Sequence, residues 1–131
     1  MEAPSTTGTW RWVNLWATWC VPCVAEMDLL GRWTTALGKD GTPVALELLS
    51  IDAPSDGEAL QARLAKGLPG NVRWLRDEAE LGPFLESLGV NAKDAIPIHA
   101  LVDPGGNLRC VRVGAIGGQD YAAVKGIVTG G

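Results

Sequence analysis

Cys20 and Cys23 are the residues of this sequence best suited to chemistry, because two thiols separated by two residues can form and break a disulfide. An apolar run from Trp10 to Ala17 ends shortly before them, and an amphipathic segment follows without a gap. A buried strand that runs straight into a helix would place Cys20 at the helix start and Cys23 about one turn further in. The spacing therefore predicts a dithiol/disulfide pair at a strand–helix junction.

The start of a helix favours a reactive thiolate. The N–H groups of its first turn are unpaired and form the positive end of the helix dipole, which stabilises an anion. A free thiol has a pKa of about 8.5, and helix N-termini and Cys-x-x-Cys settings lower it. Pro22 suits the first turn, where a missing N–H costs nothing. We therefore expect Cys20 to be the exposed nucleophile and Cys23 to be the buried thiol that resolves a mixed disulfide.

The window from Val13 to Cys23, with Glu26-Met27 after it, resembles the thioredoxin superfamily. In detail it is most similar to the TlpA/ResA-type thiol:disulfide oxidoreductases of the bacterial cell envelope. The resemblance implies an α/β, thioredoxin-like fold, in which a central mixed sheet is flanked by helices and carries a TlpA-type strand–helix insert.

Ile96-Pro97 and the segment 101–106 resemble that family's cis-proline and the strand and turn after it. Sequence alone favours a trans bond, because cis bonds are only about 5–6% of X-Pro bonds. The resemblance instead implies a cis bond at Pro97, facing Cys20. The backbone of Ile96 would then be free to pair with an extended partner peptide by strand addition.

Asn14 stands where plain thioredoxin carries a buried aspartate, and an asparagine cannot accept the proton of Cys23. A substitute carboxylate is expected at the carboxyl ends of the parallel strands, where α/β sheets build their sites. Asp52 ends the second predicted strand and is the candidate proton acceptor. Two alternatives stay open: Asp52 starts a turn before Pro54, and the glutamate of ResA-type relatives would align with Ala53.

The residues around the cysteines are candidates for contact with a partner protein. Trp19 directly precedes the nucleophile and either packs into the core or forms a flat apolar platform beside the sulfur. The substrate-binding candidates are Trp19, Val21, Pro22 and Ile96.

The elements that would position these residues alternate between strand and helix, so the first two strands should be parallel. Apolar strands are predicted over Trp10 to Ala17 and Val44 to Ile51, with a helix over Cys20 to Leu37 between them. Asp28 replaces a proline that kinks this helix in the family, so a straighter helix is expected. Further predicted elements are a helix opened by a Ser55–Glu58 capping box, a strand over Val72 to Leu75, a helix over Asp77 to Leu88, strands over Ile98 to Val102 and Leu108 to Val113, and a helix over Asp120 to Val128.

The chain's size and composition are those of one globular domain. Its 131 residues are 47% hydrophobic and carry a net charge of −4, so no nucleic-acid surface is suggested. We expect a flexible lead-in over residues 1–8 and a single domain over residues 9–131. The sequence contains neither a signal peptide nor a transmembrane pattern. The resemblance implies an envelope location, with an anchor on a missing N-terminal segment, and hence an excised domain.

The resemblance implies a protein-disulfide oxidoreductase, working as a reductase rather than an oxidase. Its cofactor would be the Cys20–Cys23 disulfide alone, with no metal. The implied partners are disulfide-containing proteins of cytochrome c or oxidase assembly and a membrane thiol reductant as electron donor, and we expect a monomer. Two alternatives stay open: a Cu(I) chaperone assisted by His99, and a non-catalytic interaction domain of a larger protein. A zinc site of these cysteines with His99 and Cys110 is disfavoured, because the spacing provides no second close pair.

Overall fold

Strands from along the whole chain form a five-stranded mixed sheet. The computed structural model describes residues 8–75 and 96–130, together with Pro83, Glu86, Ser87 and Gly89. The strands are β1 (Trp10–Trp16), β2 (Val44–Ser50), β3 (Asn71–Trp74), β4 (Ile98–Val102) and β5 (Leu108–Val113). Their order in the sheet is β3-β2-β1-β4-β5. The strands β1, β2 and β3 are parallel, whereas β4 is antiparallel to β1 and β5 is antiparallel to β4.

Helices connect the parallel strands, so the predicted α/β fold class is confirmed. The helices are α1 (Val21–Ala25), α2 (Met27–Lys39), α3 (Gly57–Ala65) and α4 (Tyr121–Gly130), and short 3₁₀ turns precede α3 and α4. The helical crossovers join β1 to β2 and β2 to β3, as parallel neighbours require. In the described parts of the chain, no helix is long and apolar enough to cross a membrane.

The central strand β1 is buried on both faces, which explains its nearly continuous apolar sequence. Trp12 and Trp16 pack into a first core cluster with residues of the four helices that the structure describes, whereas Val13 and Leu15 belong to a second cluster on the other face. Side chains alternate between the faces of a strand. Asn14 therefore lies on the same face as the two tryptophans, and this is the face that carries the cysteines.

The helix predicted from Cys20 to Leu37 is divided at Glu26 into α1 and α2, so the prediction of one continuous helix was wrong. Glu26 has φ −92° and ψ −3°, and it ends α1 while its carbonyl already accepts the N–H of Leu30 at 3.0 Å. The Glu26 side chain is buried and hydrogen-bonded inside the protein. The break is thus compatible with Asp28 in place of the family's proline, because Glu26 is held by its own tertiary contacts.

The start of the next helix also differs from the prediction. Ser55 lies within the 3₁₀ turn, and α3 begins only at Gly57. The carboxylate that accepts a backbone N–H at this turn belongs to Asp56, which bonds Ala53 at 3.2 Å, rather than to Glu58. The helix predicted over Asp77 to Leu88 lies largely outside the described residues.

Candidate active site

Cys20 and Cys23 form a disulfide at the start of α1. Cys20 is the N-cap residue of this helix, with an extended backbone, and its sulfur accepts the N–H of Cys23 at 3.3 Å. Cys23 is completely buried and Cys20 is 5% exposed, so Cys20 is much less exposed than expected. The reason is the disulfide itself, which holds the Cys20 sulfur over Cys23 at the edge of the core.

The sheet brings the Ile96–Pro97 segment against the disulfide across a sequence distance of more than seventy residues. The peptide bond between these two residues is cis. The Cys20 sulfur lies 3.7 Å from the carbonyl oxygen of Ile96. This approach is set by the β1–β4 pairing, in which Leu15 lies opposite Ile98. The backbone just before β4 therefore forms one wall of the site.

Apolar side chains surround the disulfide on the solvent side. Trp19 is 60% exposed and Val21 is 78% exposed, and Pro22 beside them is exposed as well. Ile96 is half-buried on the other side of the sulfur. Trp19 is thus exposed beside the disulfide rather than packed into the core. Large apolar groups in solvent are typical of surfaces that bind a partner.

Asp52 lies at the carboxyl end of β2 and is 1% exposed. Its carboxylate accepts the Thr18 N–H at 3.1 Å, the Thr18 hydroxyl at 2.6 Å and the Ser50 hydroxyl at 2.5 Å. The Asp52 side chain thereby anchors the turn that leads into Cys20, whose N–H bonds the Ala17 carbonyl at 3.1 Å. The Asp52 carboxylate therefore fixes the position of the turn at Thr18, just before Cys20.

A chain of buried polar side chains runs through the core beneath the disulfide. The indole N–H of Trp12 donates to His99 Nδ1 at 2.9 Å, and His99 Nε2 lies 2.8 Å from Glu26 Oε2. The other Glu26 oxygen accepts the N–H of Ile116 at 3.0 Å. Asn14 lies beside this chain, with its amide nitrogen 3.2 Å from the Ile98 carbonyl and 3.4 Å from His99 Nδ1.

Sequence reasoning did not predict the pairing of Glu26 with His99, because 73 positions separate the two residues. Glu26 drew attention only as part of a family motif, and His99 only as a metal ligand. One local signal was available: His99 interrupts an otherwise apolar strand, and a buried polar side chain requires a partner.

The contacts of His99 also bear on the metal-binding alternatives. Its Nδ1 accepts a hydrogen bond from the Trp12 N–H and its Nε2 bonds Glu26, so neither nitrogen has a free lone pair for a metal. Cys110 lies half-buried on β5. Within the residues that the structure describes, no three His, Cys, Asp or Glu side chains are grouped to hold a metal ion.

No family model and no curated protein matches the sequence. Solved structures do resemble the chain in three dimensions. One is a thioredoxin-family thiol:disulfide interchange protein from Chlorobium tepidum TLS, with a TM-score of 0.70 and 20% identity over 95% of this chain and 82% of that one. A second is a putative thiol:disulfide interchange protein DsbE from Chlorobium tepidum, with a TM-score of 0.69 and 22% identity over 92% and 77%. A third is MTB DsbF, with a TM-score of 0.68 and 21% identity over 95% and 84%.

The chain therefore has a thioredoxin-like fold. Its fold is the one shared by thiol:disulfide oxidoreductases of the DsbE and TlpA-like kind, and the Cys20–Cys23 disulfide lies at a strand–helix junction in it.

Proposed function

We propose that this protein is a thiol:disulfide oxidoreductase that reduces disulfides of specific partner proteins. The observation that carries the proposal is the Cys20–Cys23 disulfide at the start of α1, with the Cys20 sulfur 3.7 Å from the Ile96 carbonyl. A thiolate at Cys20 would be stabilised by the free N–H groups of the helix start, one of which already bonds its sulfur.

The reaction begins with the reduced pair. The Cys20 thiolate attacks one sulfur of a partner disulfide, forming a Cys20–partner bond, and the electron pair leaves with the second partner sulfur, which takes a proton. Cys23 then loses its proton and attacks the Cys20 sulfur. The Cys20–Cys23 bond forms, the bond to the partner breaks, and the partner leaves as a dithiol. Two electrons have passed from this protein to its partner, so no other cofactor is needed.

The partner would bind across the apolar surface around the disulfide, formed by Trp19, Val21, Pro22 and Ile96. An extended segment of the partner would pair with the Ile96 backbone, and the apolar side chains would cover the reacting sulfurs. A disulfide in the solvent-exposed part of a folding or unfolded protein fits such a surface.

The place of this reaction in the cell follows from the family resemblance. We place the chain on the envelope side, held by an anchoring segment N-terminal to it, as a monomer with one catalytic domain over residues 9–131. Its substrates would be proteins of cytochrome c or oxidase assembly, and a membrane thiol reductant would return it to the dithiol form. The structural likeness to a putative thiol:disulfide interchange protein DsbE supports the disulfide-exchange chemistry of this proposal.

The deciding measurement is the reduction potential of the Cys20–Cys23 pair, obtained by alkylation and mass shift across graded thiol buffers. A two-electron transition near the thioredoxin value of about −270 mV is expected, whereas a value near about −120 mV would reverse the direction to oxidation. Cys20→Ser should abolish insulin reduction, and Cys23→Ser should accumulate the mixed disulfide with a partner. A wild-type protein without any two-electron transition would rule out the proposed activity.

Asp52 is part of the proposal as the proton acceptor of Cys23. Support comes from its burial at the end of β2, beside the Thr18 turn that precedes Cys20. Asp52→Asn is expected to slow insulin reduction about 10²-fold, the lower end of what a general base contributes. Thr18→Val is the matched control, because it removes one hydrogen bond of this carboxylate and keeps the charge. Equal rates of insulin reduction in Asp52→Asn and Thr18→Val would mean that Asp52 only fixes the Thr18 turn and does not accept the proton.

A further inference from the structure

An open groove lies next to the disulfide, between the turn that carries Trp19 and the outer face of α3. Its volume is about 360 Å³, and Thr18 and Trp19 line one side. The other side is formed by residues at intervals of three and four positions, which share one face of a helix. These residues are Ala59, Ala62, Arg63 and the C-cap residue Lys66. Because Trp19 directly precedes Cys20, the groove continues the apolar surface that surrounds the disulfide.

Both sides of this groove are held in place by the protein itself. The Asp52 carboxylate accepts the Thr18 hydroxyl at 2.6 Å and the Thr18 N–H at 3.1 Å, which fixes the turn. On the other side, α3 is anchored through Leu60, which is 3% exposed and belongs to the core cluster of the tryptophans. A groove that exists before the partner arrives costs less to order on binding.

The middle of the groove is apolar. The Trp19 side chain is 60% exposed, so its indole is available to a partner. Ala59 and Ala62 are exposed as well, and their short side chains leave room beside the indole. An apolar side chain of a bound segment would therefore fit between Trp19 and α3, where it would bury the aromatic surface.

One end of the groove is positively charged. Among the described residues, neither Arg63 nor Lys66 has an ion-pair partner, whereas a cation such as Arg112 is paired with a carboxylate. Both groups lie at the C-terminal end of α3, where they also oppose the partial negative charge of the helix end. The acidic residue of the lining, Asp56, lies at the other end of α3, and its carboxylate accepts a backbone N–H at 3.2 Å.

The length of the groove sets the size of the segment that it would take. A helix rises 1.5 Å per residue, so the wall from Asp56 to Lys66 is about 15 Å long. An extended chain rises about 3.3 Å per residue, and about four or five residues would span this wall.

We propose that the groove binds an extended segment of the partner protein close to its reacting disulfide, with an apolar side chain against Trp19 and a carboxylate at Arg63 and Lys66. The inference rests on the proposed function and adds the kind of partner segment that the protein selects. It assigns this selection to α3, which contributes no residue to the Cys-x-x-Cys motif.

Two pairs of short peptides are the probes. Each peptide carries one cysteine as a mixed disulfide with nitrothiobenzoate. In one pair a Leu and a Glu precede the cysteine, in the other pair they follow it, and the second member of each pair has Lys in place of Glu. Each turnover oxidises the Cys20–Cys23 dithiol to the disulfide and releases one peptide thiol and one nitrothiobenzoate, whose colour gives the rate.

The reduced wild type should act about fivefold faster on the Glu member of at least one pair, the upper range for an exposed ion pair. The net charge of −4 works against this preference, since it favours the approach of the Lys peptide. A preference for Glu would therefore report a local contact rather than the overall field. It should decline in about 1 M salt, where the Debye length is about 3 Å.

Three variants locate the contact. The double variant Arg63→Glu, Lys66→Glu should reverse the preference, so that the Lys peptide reacts faster. The double variant Arg32→Glu, Lys39→Glu changes the net charge equally on the surface of α2, outside the groove, and should keep the preference for Glu. Ala62→Trp fills the groove without changing its charge and should bring the ratio of the two rates close to one.

The outcomes separate this inference from the proposed function. Equal rates with the Glu and Lys peptides of both pairs, in a wild type that turns over, would overturn the groove assignment alone. An equal reversal in Arg32→Glu, Lys39→Glu would overturn it too, since the effect would then come from net charge. If the Arg63→Glu, Lys66→Glu protein does not fold, Ala62→Trp decides the question, and an unchanged ratio there contradicts the proposal. Release no faster than with Cys20→Ser from every peptide would instead refute the oxidoreductase itself.

Discussion

Two buried carboxylates lie on opposite faces of the sheet, and they differ in the basic side chain that holds each of them. On one face Arg11 holds Glu47 through three hydrogen bonds of 2.8 to 3.2 Å, between neighbouring parallel strands. On the other face His99 holds Glu26 through one bond of 2.8 Å, between a strand and the end of α1. The arginine carries a fixed positive charge to its carboxylate, whereas His99 bonds its carboxylate through Nε2 and accepts the Trp12 N–H at Nδ1.

The difference shows two ways in which one sheet satisfies a buried carboxylate. Arginine is always protonated and its fork matches a carboxylate, so the Arg11–Glu47 pair is a closed, electrically neutral unit. The second pair joins the end of α1, the helix that begins at the disulfide, to strand β4. Burial of a carboxylate costs free energy in both cases, and the hydrogen bonds to it offset part of that cost.

The largest expected effect concerns the neutral pair. Arg11→Ala leaves the Glu47 carboxylate buried without its partner, and it should lower the free energy of unfolding by about 3–5 kcal/mol. Urea unfolding at pH 7 measures this loss. The double variant Arg11→Met, Glu47→Leu should recover most of it, because both charges are gone. A double variant as unstable as the single one would mean that packing rather than charge is responsible.

A smaller effect is expected from the donor that fixes the imidazole. Trp12→Phe removes the N–H bonded to His99, and Trp16→Phe is a matched control. The indole nitrogen of Trp16 is buried without a hydrogen-bond partner among the described residues. Both variants lose the same volume, so Trp12→Phe should be less stable than Trp16→Phe by about 1 kcal/mol. Thermal or urea unfolding measures the difference, and equal stabilities would argue against the donation.

The smallest effect concerns the half-buried carboxylate of Asp120, which bonds the backbone of the turn next to Ile116. The hydrogen bond from the Gly117 N–H, assisted by Arg112, holds the pKa of Asp120 below its usual 3.8. A lowered pKa in the folded state means that Asp120 stabilises the protein above about pH 4 and that this stabilisation is lost as the pH falls through the lowered pKa.

Asp120→Asn should therefore flatten the decline of stability below pH 4 and leave the redox equilibrium of Cys20–Cys23 at pH 7 unchanged. The decline of stability is measured as the unfolding free energy at a series of acid pH values. The redox equilibrium is measured against reduced and oxidised dithiothreitol at pH 7. An altered redox equilibrium would show that the turn around Ile116, whose N–H bonds Glu26, influences the active site.

Much of the fold could be predicted because its signals are local. The apolar run of β1, the alternation of strand and helix and the turn after β4 are contained in short windows, and the strands over Ile98 to Val102 and Leu108 to Val113 have the predicted bounds. The break at Glu26 could not be predicted from its window. It accompanies contacts with β4 and with Ile116, which lie far along the chain.

The sequence by itself determined the reacting pair, since two cysteines at this spacing before an amphipathic helix have few other arrangements available. Only the tertiary structure decided which groups surround that pair. The Ile96 backbone and the Asp52 carboxylate lie at the ends of strands that pair with β1, and His99, which bonds Glu26, lies on one of these strands. The physical reason is that helix propensity and hydrophobic periodicity act over a few residues. The partner of a buried charge is chosen instead by whichever strand lies beside it in the folded sheet.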